Sequence, residues 1–321
     1  MKSKYIFFIV LLMLFFSCTG QKENKIETDT VAHENKLSAQ QELPLEDLED
    51  IATISELQDD QLQYFLEQEI NKNPKWKKLI MRDMMSVGIV DLSDMKHIKY
   101  AGINDEDMMY AASLPKIAIL LAAMDAIDKD ELEDSKEIRE DLRLMISKSN
   151  NQASTRMIDR LGYEKIEAVL RDPKNKLYDE EVGGGLWVGK RYAAGGKRYP
   201  DPLKGLSHAA TTKQVCSFYY QLVMGNLISD QRSKEMLDIM KNPDLRHKFV
   251  NTLEKIAPEA DIYRKSGSWR NYHSDSALVL GPERQYIIVA LIDDSLGETI
   301  IRELVIPLER VLEKSRTLNR N

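Results

Sequence analysis

Apolar and polar positions alternate along this chain in a sequence of recognisable periods. From Ile54 to about Asn71, Leu57, Leu62, Phe65, Leu66 and Ile70 recur at helical spacing and predict an amphipathic helix. Pro74 to Met81 adds a further turn or two. The run Val87-Gly88-Ile89-Val90-Asp91-Leu92 reads as a buried strand, with Ile98 to Gly102 as its hairpin partner. Ile117 to Met124 is apolar on every side, so this helix has no solvent face and belongs in the middle of a domain; it ends near Asp128. Ser135 to Lys148 is a second helix, built on Ile138, Leu142, Met145 and Ile146. It breaks at Ser149-Asn150-Asn151, and a third helix runs to Gly162, followed by a short one from Glu164 to Leu170. Residues 172 to 206, with Gly183-Gly184-Gly185, Gly195-Gly196, Pro200 and Pro202, predict one long loop, a length that marks function or mobility. Helices then cover Thr211 to Met224, Asp230 to Met240 and about Leu245 to Ile256. The character changes at the end: strands at Ile262 to Lys265, Ser276 to Leu280 and Gln285 to Ile292, then a helix from about Glu298 that Pro307 should kink. Strands from both chain ends around an all-helical middle predict an α+β fold. Its antiparallel sheet is made from both ends, with a helical subdomain inserted over about 125–260. No internal repeat is apparent.

The first residues follow different rules. Lys2 and Lys4 precede the apolar run Ile6 to Phe16, then Ser17-Cys18-Thr19-Gly20. A charged start, a short apolar run and a small residue before cysteine resemble a bacterial lipoprotein signal, in which the cysteine becomes the lipidated first residue. The run is too short to span a bilayer. Residues 1–18 are therefore expected to be a signal peptide. Residues 19–52, rich in Lys, Glu, Gln, Asn and Thr, are expected to form a solvated tether. They would hold the domain, 53–315, on the periplasmic side of a bacterial cell envelope, with 316–321 as a tail. Only Cys18 and Cys216 exist, so lipid on Cys18 leaves no internal disulfide; Cys216, among Val215, Phe218, Tyr219 and Leu222, reads as a small core residue.

Composition narrows the function. Hydrophobic content of 43% and charged content of 30% are those of an ordinary globular domain, expected here to be a monomer. A net charge of −7 argues against a nucleic-acid partner, which calls for a basic face. The five histidines show no metal-ligand spacing, no P-loop is present, and no cofactor is implied.

The chemistry lies in three short motifs. Ser113-Leu114-Pro115-Lys116 opens the apolar helix, with Pro115 suited to its first turn. Ser113 and Lys116, three apart, share one face; burial depresses a lysine pKa, so a neutral amine there can take the serine proton. A second S-x-x-K, Ser93-Asp94-Met95-Lys96, lacks such a helix and reads as a polar turn. Ser149-Asn150-Asn151 is the only S-x-N, between two helices, where Ser149 or Asn150 could also be a plain helix cap. Lys265-Ser266-Gly267 is the only K-[ST]-G, at the end of a predicted strand and followed by Ser268.

In this order the motifs resemble those of the penicillin-recognising serine enzymes, and the chain from about Ile54 to Leu312 is similar to the class A serine β-lactamases. The resemblance implies acyl transfer: Ser113 attacks an amide carbonyl, Lys116 takes its proton, and Ser149 relays a proton to the departing nitrogen. It also implies that the N–H groups of Ser113 and Ser268 form the oxyanion hole. Asn151 would bind the substrate's side-chain amide. Lys265, Ser266 and Gly267 would bind its carboxylate. The implied substrate is a β-lactam or a peptidoglycan-like amide. The family's deacylating glutamate, in an E-x-x-L-N pattern, has no counterpart in 172–206, where Glu180 and Glu181 fall a few residues early. The 36 residues from Ser113 to Ser149 are also a short connection. A β-lactam hydrolase, a D-Ala-D-Ala peptidase or penicillin-binding acyl enzyme, and a non-catalytic envelope binding protein all stay open. Trp187, Lys190 and Arg191 could roof the cleft or lie in a plain surface loop, and Arg270 could add a second cation for a carboxylate.

Overall fold

The computed structural model describes residues 51–318 of the chain. The leader, Cys18, the tether as far as residue 50 and residues 319–321 lie outside them. Among the described residues no helix is long and apolar enough to cross a membrane.

A five-stranded antiparallel sheet forms the frame. Its strands are β1 (Met85–Asp91), β2 (Lys99–Ile103), β8 (Asp261–Trp269), β9 (Tyr272–Gly281) and β10 (Arg284–Asp293), in the order β2-β1-β10-β9-β8. Every residue of β1 is buried, because helices cover both faces; that is why the strand reads as an apolar run and not as an alternation. The period of two is still obeyed. On β10, Tyr286, Ile288, Ala290 and Ile292 face one core while Ile287, Val289 and Leu291 face the other.

The first core lies under α1 (Asp60–Ile70), α9 (Phe249–Ile256) and α10 (Gly297–Leu318), which supply Leu62, Leu66, Phe249, Leu253, Ile301 and Leu308. The second, larger core holds α3 (Lys116–Asp128), α4 (Lys136–Ser147), α5 (Asn151–Leu161), α6 (Tyr163–Arg171), α7 (Thr212–Val223) and α8 (Asp230–Met240). Helix α3 is buried from Lys116 through Ile127, the central helix that its apolar sequence predicts. Helix α7 packs on the sheet at Gly88, where a Cβ would lie 2.8 Å from Cys216 Sγ. Polar residues set the helix starts: Asp59 accepts from Leu62 N, Ser135 from Ile138 N and Asn150 from Ala153 N.

Several expectations need correction. The first helix begins at Asp60, after an Asp59 cap, and not at Ile54. Residues 172–206 are not one loop: β4 (Tyr178–Asp179) pairs with β5 (Gly184–Gly185), and β6 (Trp187–Val188) joins β7 (His208–Ala210) and β3 (Met109–Tyr110) in a three-stranded sheet. Backbone pairing with flanking segments supplied order that glycine and proline content had hidden. The β8 strand runs on through Trp269, so Lys265-Ser266-Gly267 lies inside it. Helix α9 starts at Phe249 and belongs with the first core, so the inserted helical part ends near Met240 and not near 260. Helix α10 continues past Pro307, and past 316 where a tail was expected.

One buried ion pair joins β8, β9 and α9. Arg264 Nε donates to Asp275 Oδ1 at 2.6 Å, Arg264 Nη2 to Oδ2 at 3.0 Å, and Phe249 N to Oδ2 at 3.1 Å. Replacing Asp275 by alanine would strand a buried guanidinium, and breaking such a pair costs about 3–5 kcal/mol. Denaturant unfolding of Asp275→Ala should show that loss; a change below about 1 kcal/mol, as at a surface pair, would contradict it.

Candidate active site

Ser113 sits in a tight turn ahead of α3. Leu114 N donates to Ala111 O at 3.1 Å, Lys116 N to Ser113 O at 3.3 Å and Ile117 N to Leu114 O at 3.3 Å. Bonds three residues apart make this a 3₁₀-like turn, in which positions i and i+3 eclipse. The helix starts at Lys116 with Pro115 as its cap residue, one position later than the sequence suggests. The turn is entered through Ala112 at φ 51°, a left-handed conformation that costs an alanine about 1–3 kcal/mol.

The three motifs meet around one hydroxyl. Lys116 Nζ donates to Ser149 O at 2.7 Å and to Asn151 Oδ1 at 2.8 Å, and stands 3.4 Å from Ser149 Oγ. Lys265 Nζ, from the strand, reaches the same Oγ at 2.9 Å and Ser266 O at 2.7 Å. Ser149 is held at φ 54°, which turns its side chain away from the capping role that Asn150 takes. Burial pushes the Lys116 amine down to about 7, and burial, with Lys116 nearby, pushes Lys265 well below its ordinary value. Asn151 Oδ1 accepts from Lys116, which fixes the orientation of its amide.

Strand β8 touches the Ser113 turn backbone to backbone. A Cβ on Gly267 would lie 2.3 Å from Ala111 O and 2.5 Å from Ser113 N, so no larger residue fits there. Ser274 Oγ donates to Ala111 O at 2.7 Å and ties β9 to the same turn. The N–H groups of Ser113 and Ser268 thereby belong to adjoining segments.

Three further residues had no signal in the sequence. Lys248 is fully buried at φ 57°, and its Nζ donates to Gly267 O at 2.5 Å, Ser268 Oγ at 2.8 Å and Ser274 O at 3.0 Å. It is the buried cation beside Ser268. Arg270, the candidate second cation for a carboxylate, stands exposed in the β8–β9 turn next to Trp269. Tyr192 places its ring 4.4 Å from Lys116 Nζ and donates its hydroxyl to Ala112 O at 3.2 Å. His208 packs on Tyr192 with ring centroids 4.2 Å apart and tilted by 35°, and its Nε2 donates to Lys190 O at 2.9 Å. Burial is the main reason its pKa falls to about 4, so the ring is neutral at ordinary pH. Tyr192 comes from the region that composition alone reads as a loop, and His208 follows it on β7.

Other candidates fall elsewhere. Trp187 is buried against Tyr199 and roofs nothing; Arg191 pairs with Asp159 at 2.6 Å. Glu180 is bound by Arg171 at 2.6 Å and Glu181 is exposed. The second S-x-x-K copy is a turn between β1 and β2. Among the described residues, Asp275 is the one acid hydrogen-bonded to any of the four buried cations Lys116, Lys248, Arg264 and Lys265, and no cluster of His, Cys, Asp or Glu could hold a metal ion.

A helical insertion in an antiparallel sheet, with S-x-x-K, S-x-N and K-S-G converging between them, is the architecture of the β-lactamase and transpeptidase class. The model of the β-lactamase enzyme family matches residues 75–142 and 135–305, and the chain belongs to that family. No curated protein matches it. Among solved structures, PBP-A is 19% identical with a TM-score of 0.58, over 80% of this chain and 97% of that one. A PBP-A mutant in acyl-enzyme complex with penicillin G gives 18% and 0.60, over 81% and 97%. The β-lactamase of Sphaerobacter thermophilus gives 15% and 0.59, over 77% and 95%. At these identities the likeness establishes the fold.

The Tyr192 ring helps keep water from the Lys116 amine. In ¹⁵N-lysine NMR, Lys116 should titrate near pH 7, and Tyr192→Ala should move it up towards the solvated value. An unshifted midpoint in the variant would contradict this role of the ring.

Proposed function

We propose that this chain is a serine acyl-transfer enzyme that opens β-lactam amides through Ser113 and releases the acyl group slowly. The observation that carries the reading is the Ser149 hydroxyl held between the Lys116 and Lys265 amines, with Lys116 three residues after Ser113 in the same turn. The neutral Lys116 amine takes the Ser113 proton as Oγ bonds to the carbonyl carbon. The resulting oxyanion faces the N–H groups of Ser113 and Ser268. Collapse breaks the C–N bond. Ser149 gives its proton to the departing nitrogen and is reprotonated by the Lys116 ammonium 3.4 Å away, so the proton count closes.

The excess of buried cations supports a substrate bearing a carboxylate, as β-lactams and peptidoglycan-like amides do. Slow release has its own support. The second half of the reaction needs a base for water, and among the described residues no carboxylate hydrogen-bonds Lys116, whose buried amine also meets the Tyr192 ring. The acyl-enzyme complex of a PBP-A mutant with penicillin G fits the expectation of an acyl-enzyme.

Intact mass after mixing with benzylpenicillin should show one covalent adduct that outlasts the mixing by many turnovers' time. Ser113→Ala should show none, and Lys116→Met should form it about 100- to 10,000-fold more slowly. A wild-type protein that never gains mass, yet still binds the ligand, would establish a non-catalytic binding protein instead. Rapid return to the free mass would overturn slow release.

A further inference from the structure

Away from the Ser113 site, a cavity of about 700 Å³ lies between Ile51–Ser55, the segment from Pro173 to Val182, and one stripe of α7. That is within the size range of small-molecule pockets. The stripe is polar although buried: Gln214, Ser217 and Gln221 are 6%, 6% and 7% exposed. Gln221 Nε2 donates to Asn175 O at 2.9 Å and to Ser217 Oγ at 3.0 Å. A carbonyl can only accept, so the amide's orientation is set and its Oε1 is the free end. That Oε1 is buried and has no partner in the structure. An acceptor left so is costly unless something donates to it. Ser217 Oγ accepts from Gln221, so its own O–H remains to be given. A donor site and an acceptor site thus stand one helical turn apart, and a carboxamide complements both. Ile51, Ile54 and Tyr220 add apolar wall, while Lys174 and Lys176 stand exposed on the lining.

We infer that this cavity binds a small amide that also carries a carboxylate, such as an N-acylated amino acid or the C-terminal end of a short peptide. The amide N–H donates to Gln221 Oε1, the amide carbonyl accepts from Ser217, and the carboxylate meets the two lysines. This site is independent of the acyl-transfer reading. Its lining includes none of Ser113, Lys116, Ser149, Asn151 and Lys265.

The test uses the chain labelled with ¹⁵N, with N-acetylglycine, acetamide and acetate as probes. N-acetylglycine should shift the Gln221 side-chain amide signals saturably, with a dissociation constant of about a millimolar, while the Ser149 signals stay put. Acetamide should bind more weakly and acetate not at all. Gln221→Met and Ser217→Ala should each lower affinity for N-acetylglycine about tenfold. Absence of saturable shifts, wild-type affinity retained in both variants, or shifts centred on Ser149 would each overturn the assignment.

Discussion

Two lysine amines without a carboxylate between them converge on the hydroxyl of Ser149, and the fold is arranged to hold them there. Burying a charged amine is expensive, and the molecule lowers that cost by letting the amine titrate and by lending it backbone carbonyls. Lys116 has the carbonyl of Ser149 and the amide oxygen of Asn151; Lys265 has the carbonyl of Ser266; Lys248, nearby, has two carbonyls and a hydroxyl. Each arrangement demands an unusual backbone: Ala112, Ser149 and Lys248 all lie in the left-handed region. Strain of this kind persists only where surrounding structure enforces it. Here a wholly buried helix on one side and a sheet buried on both faces on the other do so.

The same argument explains the charge pattern. Asp275 binds Arg264 and leaves the three lysines with neutral acceptors where the Ser113 turn meets β8. A pocket built this way favours an anion and a nucleophile deprotonated by a neutral base. What it lacks, among the described residues, is an acid poised to activate water next to Lys116. Tyr192 and His208 bring an aromatic, uncharged wall to that place.

Much of this was legible in the amino-acid order. Periods of 3.6 and two placed the elements, because the helices cover a continuous core and their apolar positions must recur. The motif trio was legible because serine and lysine at those spacings offer side-chain chemistry that few other residues supply. Lys248 was not: its role depends on a carbonyl of Gly267 and one of Ser274, about twenty residues downstream, and a lysine between His247 and Phe249 carries no mark of that. Tyr192 was hidden similarly, in a stretch whose glycines and prolines read as irregular. Its order comes from β6 and β7, a pairing between segments about twenty residues apart. Side-chain roles set by distant backbone leave little local trace.

The pH dependence of the acylation rate by benzylpenicillin addresses the central claim most directly. If a buried, half-titrated Lys116 is the base, the rate rises with pH through a midpoint near 7, as the neutral amine becomes the major form. A rate that climbs only near the ordinary lysine range, or that does not vary with pH, would mean that Lys116 is not the group that deprotonates Ser113.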